Sequence, residues 1–304
     1  MDKHLLALKQ IIKTGIVKEN VDLKELTTIK IGGLARFFVQ TNQVDELKKL
    51  LKYTYQNNLA IFVLGGGSNV IFSDSGFNGI IIKLTADSFK IISSLEKIVI
   101  EFGAGYPSSL AATKTAELGY SGFECLSGLP GTIGGAIYQN SKWPKDNYQI
   151  SDNLLSVSYL DKNAILVTKT REELKFAYGY SQFQDFSATI ISARFIFRKK
   201  SPQLIKKRMK EVMAYRLLTQ PHGVYTAGCV FKNINEQSAG YLLDKSGLKE
   251  TTFGQMTVSK KHANFFINQG SASSKDYLSL VEKAKQLVKA QFNLDLKEEV
   301  QFVQ

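Results

Sequence analysis

Apolar residues at Leu5, Leu8, Ile11 and Ile12 recur at helical spacing and predict an amphipathic opening helix. The same period returns in "TNQVDELKKLLKYTYQNN", where Val44, Leu47 and Leu51 share a face and Thr41 or Asn42 is placed to cap. "YPSSLAATKTAELG" predicts a third helix, with Ser108 or Ser109 near its start and Gly119 at its stop. "PQLIKKRMKEVMAYRLLT" is a fourth, at a boundary where the pattern changes. "SKDYLSLVEKAKQLVKAQF" is another, with Ser274 as cap and Leu278, Val281, Ala284 and Val288 as its stripe.

Short β-rich runs fill the intervals. "AIFVLGGGSNVIF" predicts strand, glycine loop, strand, and "GIIIKL" and "KIVIEFGAG" predict further strands. From about 150 to 198 the chain is mostly strand, in "NLLSVSYLD", "AILVT" and "TIISARFIF". "GCVFKN", "ANFFIN" and "EVQFVQ" extend the series toward the C-terminus. Helices and strands mix without strict βαβ alternation, which favours α+β over a doubly wound sheet.

Two loops stand out against this pattern, "LGGGSN" (Leu64–Asn69) and "GLPGTIGGA" (Gly128–Ala136). Glycine loses more freedom on folding than any other residue, so such clusters need a reason. Neither loop holds the Gly-Lys-Ser/Thr of a phosphate-binding P-loop, and Val70 stands where Gly-x-Gly-x-x-Gly requires its third glycine. Tight turns or close strand packing are one use for them. The other is a nest of inward-turned amides around an anion, with Ser68, Asn69 and Thr132 adding donors. Two such nests suit a ligand with a diphosphate.

Composition changes the picture in three places. Length, 304 residues, suggests two or three units rather than one core. Net charge is +12, with Lys and Arg spread along the chain. The densest run, Arg198–Lys210, lacks interleaved aromatics and any nucleic-acid signature, so it predicts a solvated helix start and no nucleic-acid partner. Two cysteines and three histidines, none at metal-ligand spacing, leave no disulfide framework and no metal site. No segment reads as a secretion signal or membrane span, so the expectation is a soluble cytoplasmic protein.

Seven motifs in order give the chain a family resemblance: "TTIKIGGLARFF", "LGGGSNVIFSDSGFNGIIIKL", "GLPGTIGGAIYQN", "RLLTQPHGVYTAGCVFKN", "AGYLLDKSGLK", "VSKKHANFFIN" and "LDLKEEVQFV". Together they resemble the UDP-N-acetylenolpyruvoylglucosamine reductases, of the shorter class. The resemblance implies a two-subdomain FAD-binding fold of the vanillyl-alcohol-oxidase (PCMH) type plus a smaller α/β substrate domain. It implies an N-terminal helix at 1–21, an FAD-binding domain at 22–198, divided near 85, and a substrate domain at 199–304. The implied activity is FAD-dependent reduction of UDP-N-acetylglucosamine enolpyruvate to UDP-N-acetylmuramate, with NADPH as co-substrate, in peptidoglycan precursor synthesis; a monomer is the working expectation.

Residue roles follow from the same resemblance. Gly65, Gly66, Gly67, Ser68, Asn69, Gly128, Pro130, Gly131, Thr132, Gly134, Gly135 and Asn140 map to cofactor binding. Tyr178, Gln220, Lys232, Asn233, His262 and Asn264 map to substrate binding, with Lys232 a plausible diphosphate partner. Cys229 maps to the proton donor and Glu299 to the catalytic carboxylate. A thiol near its reference pKa of about 8.5 is mostly protonated at neutral pH and able to donate. The bland reading of Cys229 is a small buried hydrophobe, and that of His262 a structural histidine linking two segments.

The chain departs from the family's pattern at "YGYS", where Gly179 stands in place of an arginine. Arg171, Lys175, Lys142 and Lys232 are the candidate replacement cations. A second departure is "SKWPKD" after Asn140, which puts Trp143 where the family has a small turn. Gly179 therefore favours a rival reading, a flavin- or nucleotide-sugar-binding relative with weak or lost turnover. A flavin oxidase of the same fold is a further rival, against which the substrate-domain motifs stand.

Overall fold

The computed structural model describes residues 2–85, 88–92, 98–234 and 237–304. The chain is α+β, as its pattern predicts. It forms two compact units: unit 1 is Met1–Glu19, Phe37–Gly66 and Gly79–Ala214, and unit 2 is Asn20–Arg36, Gly67–Asn78 and Tyr215–Gln304. Among the described residues no helix is long and apolar enough to cross a membrane.

Two larger sheets frame unit 1, beside the short pairs Lys142–Trp143 with Tyr148–Gln149 and Phe176–Ala177 with Tyr180–Ser181. The first is antiparallel, in the order Leu166–Thr170, Leu154–Leu160, Thr189–Lys199, Ile98–Gly103, Phe89–Ile91. Lys97, at the head of the predicted "KIVIEFGAG", lies outside the described residues. The second sheet has the order Ile16–Asp22, Leu34–Thr41, Phe77–Leu84, Ala60–Leu64, its last two strands parallel. Helices α1 (Lys3–Ile11) and α2 (Val44–Gln56) bury Leu5, Leu8, Leu47 and Leu50 with Phe37, Val39, Ile80 and Ile82. Neither Thr41 nor Asn42 caps α2; the N-cap is Gln43, without a side-chain bond. The Thr41 hydroxyl instead donates to buried Glu46 (2.6 Å), which also accepts the amides of Lys13 (2.8 Å) and Thr14 (2.9 Å).

Two further helices of unit 1, α3 (Ser108–Glu117) and α4 (Ile133–Gln139), follow the glycine-bearing segments. Gly119 sits just past α3 at φ +73°, the left-handed stop its position predicts. Ala111, Ala112, Ile133 and Ile137 pack with Ile100, Phe102, Val157 and Phe195 in the core of the first sheet. Helix α5 (Pro202–Thr219) carries the chain from unit 1 into unit 2.

Unit 2 builds its core from α6 (Ala239–Lys245), α7 (Ser274–Phe292), a three-stranded antiparallel sheet (Thr252–Phe253, Met256–Val258, Phe266–Asn268) and the parallel pair Gln301–Val303 with Val70–Phe72. Helix α7 is capped by Ser273, one residue before the predicted Ser274, in a reciprocal box with Asp276. Its buried stripe is Tyr277, Leu280, Val281, Ala284 and Val288; Leu278 faces outward. "GCVFKN" is not a regular strand. It makes isolated bridges instead, Cys229 to Phe265 and Phe231 to Glu298.

Candidate active site

The two glycine loops meet within unit 1. A Cβ added at Gly66 would lie 2.5 Å from the Gly131 Cα, so backbone passes directly against backbone. One added at Gly65 would lie 2.8 Å from the Thr132 hydroxyl. Thr132 caps α4 by accepting from the Gly135 amide (3.3 Å). Among the described residues the amides of Gly66, Gly131 and Thr132 donate to no acceptor. Amides left without a protein acceptor are what an anion-binding nest offers. Gly128 and Gly131 hold positive φ in the loop between.

Gly134 and Gly135 differ in kind. The Gly134 amide donates to the Ala104 carbonyl (2.7 Å), and a Cβ there would meet the Ala104 Cβ at 2.8 Å. That is close packing, the bland use of a glycine. A Cβ on Gly135 would meet only the Thr132 hydroxyl, at 3.5 Å, so no neighbouring protein atom demands glycine there.

A third segment completes the cradle and was not singled out in the sequence. The Ser108 amide donates to the Gly131 carbonyl (3.0 Å), and the Ile133 amide to the Tyr106 carbonyl (2.9 Å). Residues 104–108 thus line the second glycine loop. The buried Ser108 hydroxyl has no protein partner among the described residues. The available signal was "FGAGYPSS", a Gly-x-Gly between a strand and a helix start.

In unit 2, Cys229 and Glu299 stand on hydrogen-bonded segments. The Glu299 amide donates to the Val230 carbonyl (2.7 Å), next to half-buried Cys229. Asn69 holds the same place: its side-chain amide donates to the Glu299 carbonyl (2.9 Å) and its carbonyl accepts from the Gln301 amide (3.0 Å). Gly67 carries the preceding turn at φ +66°, its carbonyl accepting from the Thr28 amide. Ser68 follows it, its carbonyl 4.0 Å from a Cβ built on Gly228.

Three proposed substrate residues have side chains engaged within unit 2. Buried Asn264 accepts from the Phe231 amide (2.9 Å) and donates to the Phe231 carbonyl (2.8 Å), fixing the strip that carries Cys229. Asn233 accepts from the Ala239 amide (3.1 Å) at the start of α6. His262 accepts from the Asn264 amide (3.2 Å), and its ring lies 2.7 Å from where a Gly240 Cβ would be. Burial lowers the His262 pKa from its ordinary value. Lys232 and Gln220 are half-buried on the segments flanking this strip.

The far end of α4 gathers the remaining residues, in unit 1. Asn140 is fully buried in a left-handed cap and donates to the Ala177 carbonyl (2.8 Å). Gly179 is a buried turn residue at φ +59° between two short paired strands. Tyr178 beside it is 43% exposed, with the Lys142 ammonium 3.4 Å from its ring centroid. Trp143 is buried against Cys125 and Val212. The Cys125 thiol is pushed up to about 12 by burial and by nearby Asp146.

Comparison with known proteins bears on this arrangement. Residues 35–169 match an FAD binding domain, and residues 220–303 match the UDP-N-acetylenolpyruvoylglucosamine reductase C-terminal domain. A UDP-N-acetylenolpyruvoylglucosamine reductase of Protochlamydia amoebophila is 40% identical over 93% of this chain and 93% of its own. The chain belongs to the UDP-N-acetylenolpyruvoylglucosamine reductase family. The enzyme of that name from Chlamydia muridarum is 36% identical over 94% of each chain. The crystal structure of the Thermus caldophilus reductase superposes with a TM-score of 0.82 at 30% identity, over 95% of this chain and all of that one. The reductase family's FAD-binding architecture, with its separate C-terminal domain, is therefore the fold of this chain. The cradle of unit 1 fits the cofactor that architecture takes, with its undonated amides, its orphaned Ser108 hydroxyl and the open face of Gly135.

Proposed function

We infer that the chain is an FAD-dependent, NADPH-using oxidoreductase that reduces UDP-N-acetylglucosamine enolpyruvate to UDP-N-acetylmuramate. The observation that carries this is the meeting of the Gly66 and Gly131 backbones in a member of this reductase family. FAD, held by the glycine loops of unit 1, would supply the hydride-transfer chemistry that links NADPH to the terminal carbon of the enolpyruvyl double bond. The protein's task is to place the substrate, stabilise the charge that develops on its carboxylate, and give one proton to the adjacent carbon.

We propose that the amides of Gly66, Gly131 and Thr132, with Gly65, Gly67, Ser68, Gly128, Pro130, Gly134 and Gly135 shaping their loops, hold the FAD diphosphate. Cys229 is the proposed proton donor and Glu299 the proposed carboxylate partner; their hydrogen-bonded segments support that pairing. Tyr178, Gln220 and Lys232 are proposed to contact substrate directly. Asn69, Asn140, Asn233, His262 and Asn264 act in this reading by holding those contacts in place, since their side chains bond to protein. Residues 199–304 are the proposed substrate domain, and a cytoplasmic monomer is the proposed working form.

Gly179 favours the rival reading of a relative without turnover, because it offers no side chain. One experiment separates the two. The purified protein is expected to be yellow, to bleach with NADPH under anaerobic conditions, and to recover colour on addition of substrate. Bleaching without substrate-dependent recovery establishes the rival, and a protein that binds no flavin overturns both.

A further inference from the structure

The proposed reaction needs a positive charge at the substrate carboxylate. As the terminal carbon of the enolpyruvyl group gains a hydride, the electrons of the double bond move toward the adjacent carbon and its carboxylate. A proton then joins that carbon to give the lactyl ether, while NADPH has become NADP⁺. A carboxylate accepting further negative charge is stabilised most by a fixed cation in a site shielded from water.

Helix α4 indicates where that cation stands. Its first turn lies in the amide cradle, through Thr132 and Gly135. Seven residues on, about 10 Å at 1.5 Å per residue, its last turn is bolted to the turn that carries Tyr178 and Gly179. The Ser181 hydroxyl donates to the Tyr138 carbonyl (2.7 Å), the Gln184 side-chain Nε2 to the same carbonyl (2.8 Å), and the Asn140 side-chain Nδ2 to the Ala177 carbonyl (2.8 Å). Onto this corner projects Lys142, its buried ammonium 3.4 Å from the Tyr178 ring centroid.

The segment that presents Lys142 is anchored well beyond what a surface loop requires. Lys142–Trp143 pairs with Tyr148–Gln149. Trp143 is buried with Cys125 and Val212, and Asp146 forms an ion pair with Arg208 of α5. The other candidates are placed differently. Arg171 stacks its guanidinium 4.9 Å from the Phe176 ring centroid, and Lys175 is exposed. Lys232 lies in unit 2, on the strip read as a diphosphate contact.

We propose that Lys142 is the cation that meets the substrate carboxylate in this chain, delivered by the anchored "SKWPKD" hairpin in place of a side chain at Gly179. Tyr178 covers the ammonium until the carboxylate takes its place. The proposal rests on the reductase reading above, and its test separates the two.

The test uses the FAD-loaded protein and three variants: Lys142→Met, Lys142→Arg, and Gly179→Ala combined with Lys142→Met. Binding is measured by calorimetry to oxidised protein with UDP-N-acetylmuramate, which carries the carboxylate, and UDP-N-acetylglucosamine, which lacks it. Lys142→Met is expected to weaken the first by on the order of 10–100-fold and to leave the second unchanged. In anaerobic stopped flow it should slow substrate-driven reoxidation by about 10²–10³ while reduction by NADPH keeps its rate. Lys142→Arg, which keeps the charge, is expected to lose less of both than Lys142→Met does, and Gly179→Ala placed in the Lys142→Met protein, which adds no charge, restores neither. Equal weakening of the two nucleotides, or reoxidation at the wild-type rate in Lys142→Met, overturns the proposal. A wild-type protein whose flavin is never reoxidised by substrate overturns the reductase reading itself, before any variant is made.

Discussion

Gly66 and Gly135 make opposite demands, and the difference is testable. At Gly66 a methyl would meet the Gly131 backbone at 2.5 Å, and neither chain has a side chain to rotate away. Gly66→Ala should therefore lose about 1–3 kcal/mol of stability together with flavin. At Gly135 a methyl has room and sits inside a helix, where alanine is favoured by up to ~1 kcal/mol. Gly135→Ala should keep or raise its melting temperature yet purify with less flavin, read from absorbance at 450 nm against 280 nm. A variant that keeps its full flavin content would return Gly135 to a packing role. The cysteines invite a second comparison. Cys125 is buried with its thiol pushed to about 12, whereas Cys229 is half-buried on its strip. Iodoacetamide at pH 8 should label Cys229 first by mass spectrometry, and Cys229→Ala should retain reduction by NADPH while losing about 10²–10⁴ of the substrate step; equal labelling, or both half-reactions intact, removes the proton-donor assignment. What the sequence missed at this scale has one cause. Caps and orphaned hydroxyls depend on single hydrogen bonds, so Ser273 instead of Ser274 in α7, and Ser108 beside Gly131, leave no periodic trace.

Elements were more legible than their ends. All five predicted helices form, and in α2 and α7 the reason is a buried stripe repeated along the helix, Leu47, Leu50 and Leu51 in one and Tyr277, Leu280, Val281, Ala284 and Val288 in the other. "GCVFKN" failed as a strand although its composition is β-like. Its backbone is divided between Phe265 on one side and residues 297–299 on the other, so no single ladder forms. Helix α2 shows how an element is tied without a cap of its own. Buried Glu46 in its first turn gathers the Lys13 and Thr14 amides and two threonine hydroxyls. Burial alone would raise its pKa, but those hydrogen bonds outweigh burial and hold it below the usual carboxylate value. A folded-state pKa lowered in this way adds stability that is present above the unfolded carboxylate pKa of about 4.3. It is lost as pH falls through the folded value. Glu46→Gln should therefore be less stable than wild type at pH 7, by about 1–3 kcal/mol. The gap should narrow as pH drops below about 4, measured by urea unfolding at each pH. A gap of constant size across that range would mean that the charge contributes nothing beyond shape.

At the scale of the whole molecule, motif order carried the fold class and the family, since seven segments in sequence constrain far more than any one. The weaving of two units was not legible. Unit 2 recruits 20–36 and 67–78 to the C-terminal third, and its parallel pair joins Phe302 to Ile71. Pairings so distant leave no local pattern in either strand. Net charge is the one global property that the sequence gives outright, and it carries the last prediction. At +12 the protein meets two polyanions in the proposed reaction, NADPH and a UDP-sugar. Its field reaches about 30 Å at 0.01 M salt but only about 8 Å at 0.15 M. If that charge gathers substrate, kcat/KM for both should fall by roughly tenfold or more as salt rises across this range. Meanwhile kcat, which reports the bound complex, should change little. A single-stranded oligonucleotide at equal ionic strength should compete weakly, because the Arg198–Lys210 run has no aromatic platform on which bases stack. Flat kcat/KM across the salt series would mean that the excess charge is scattered away from the site, and strong competition by the oligonucleotide would mean that it is gathered for a different polyanion.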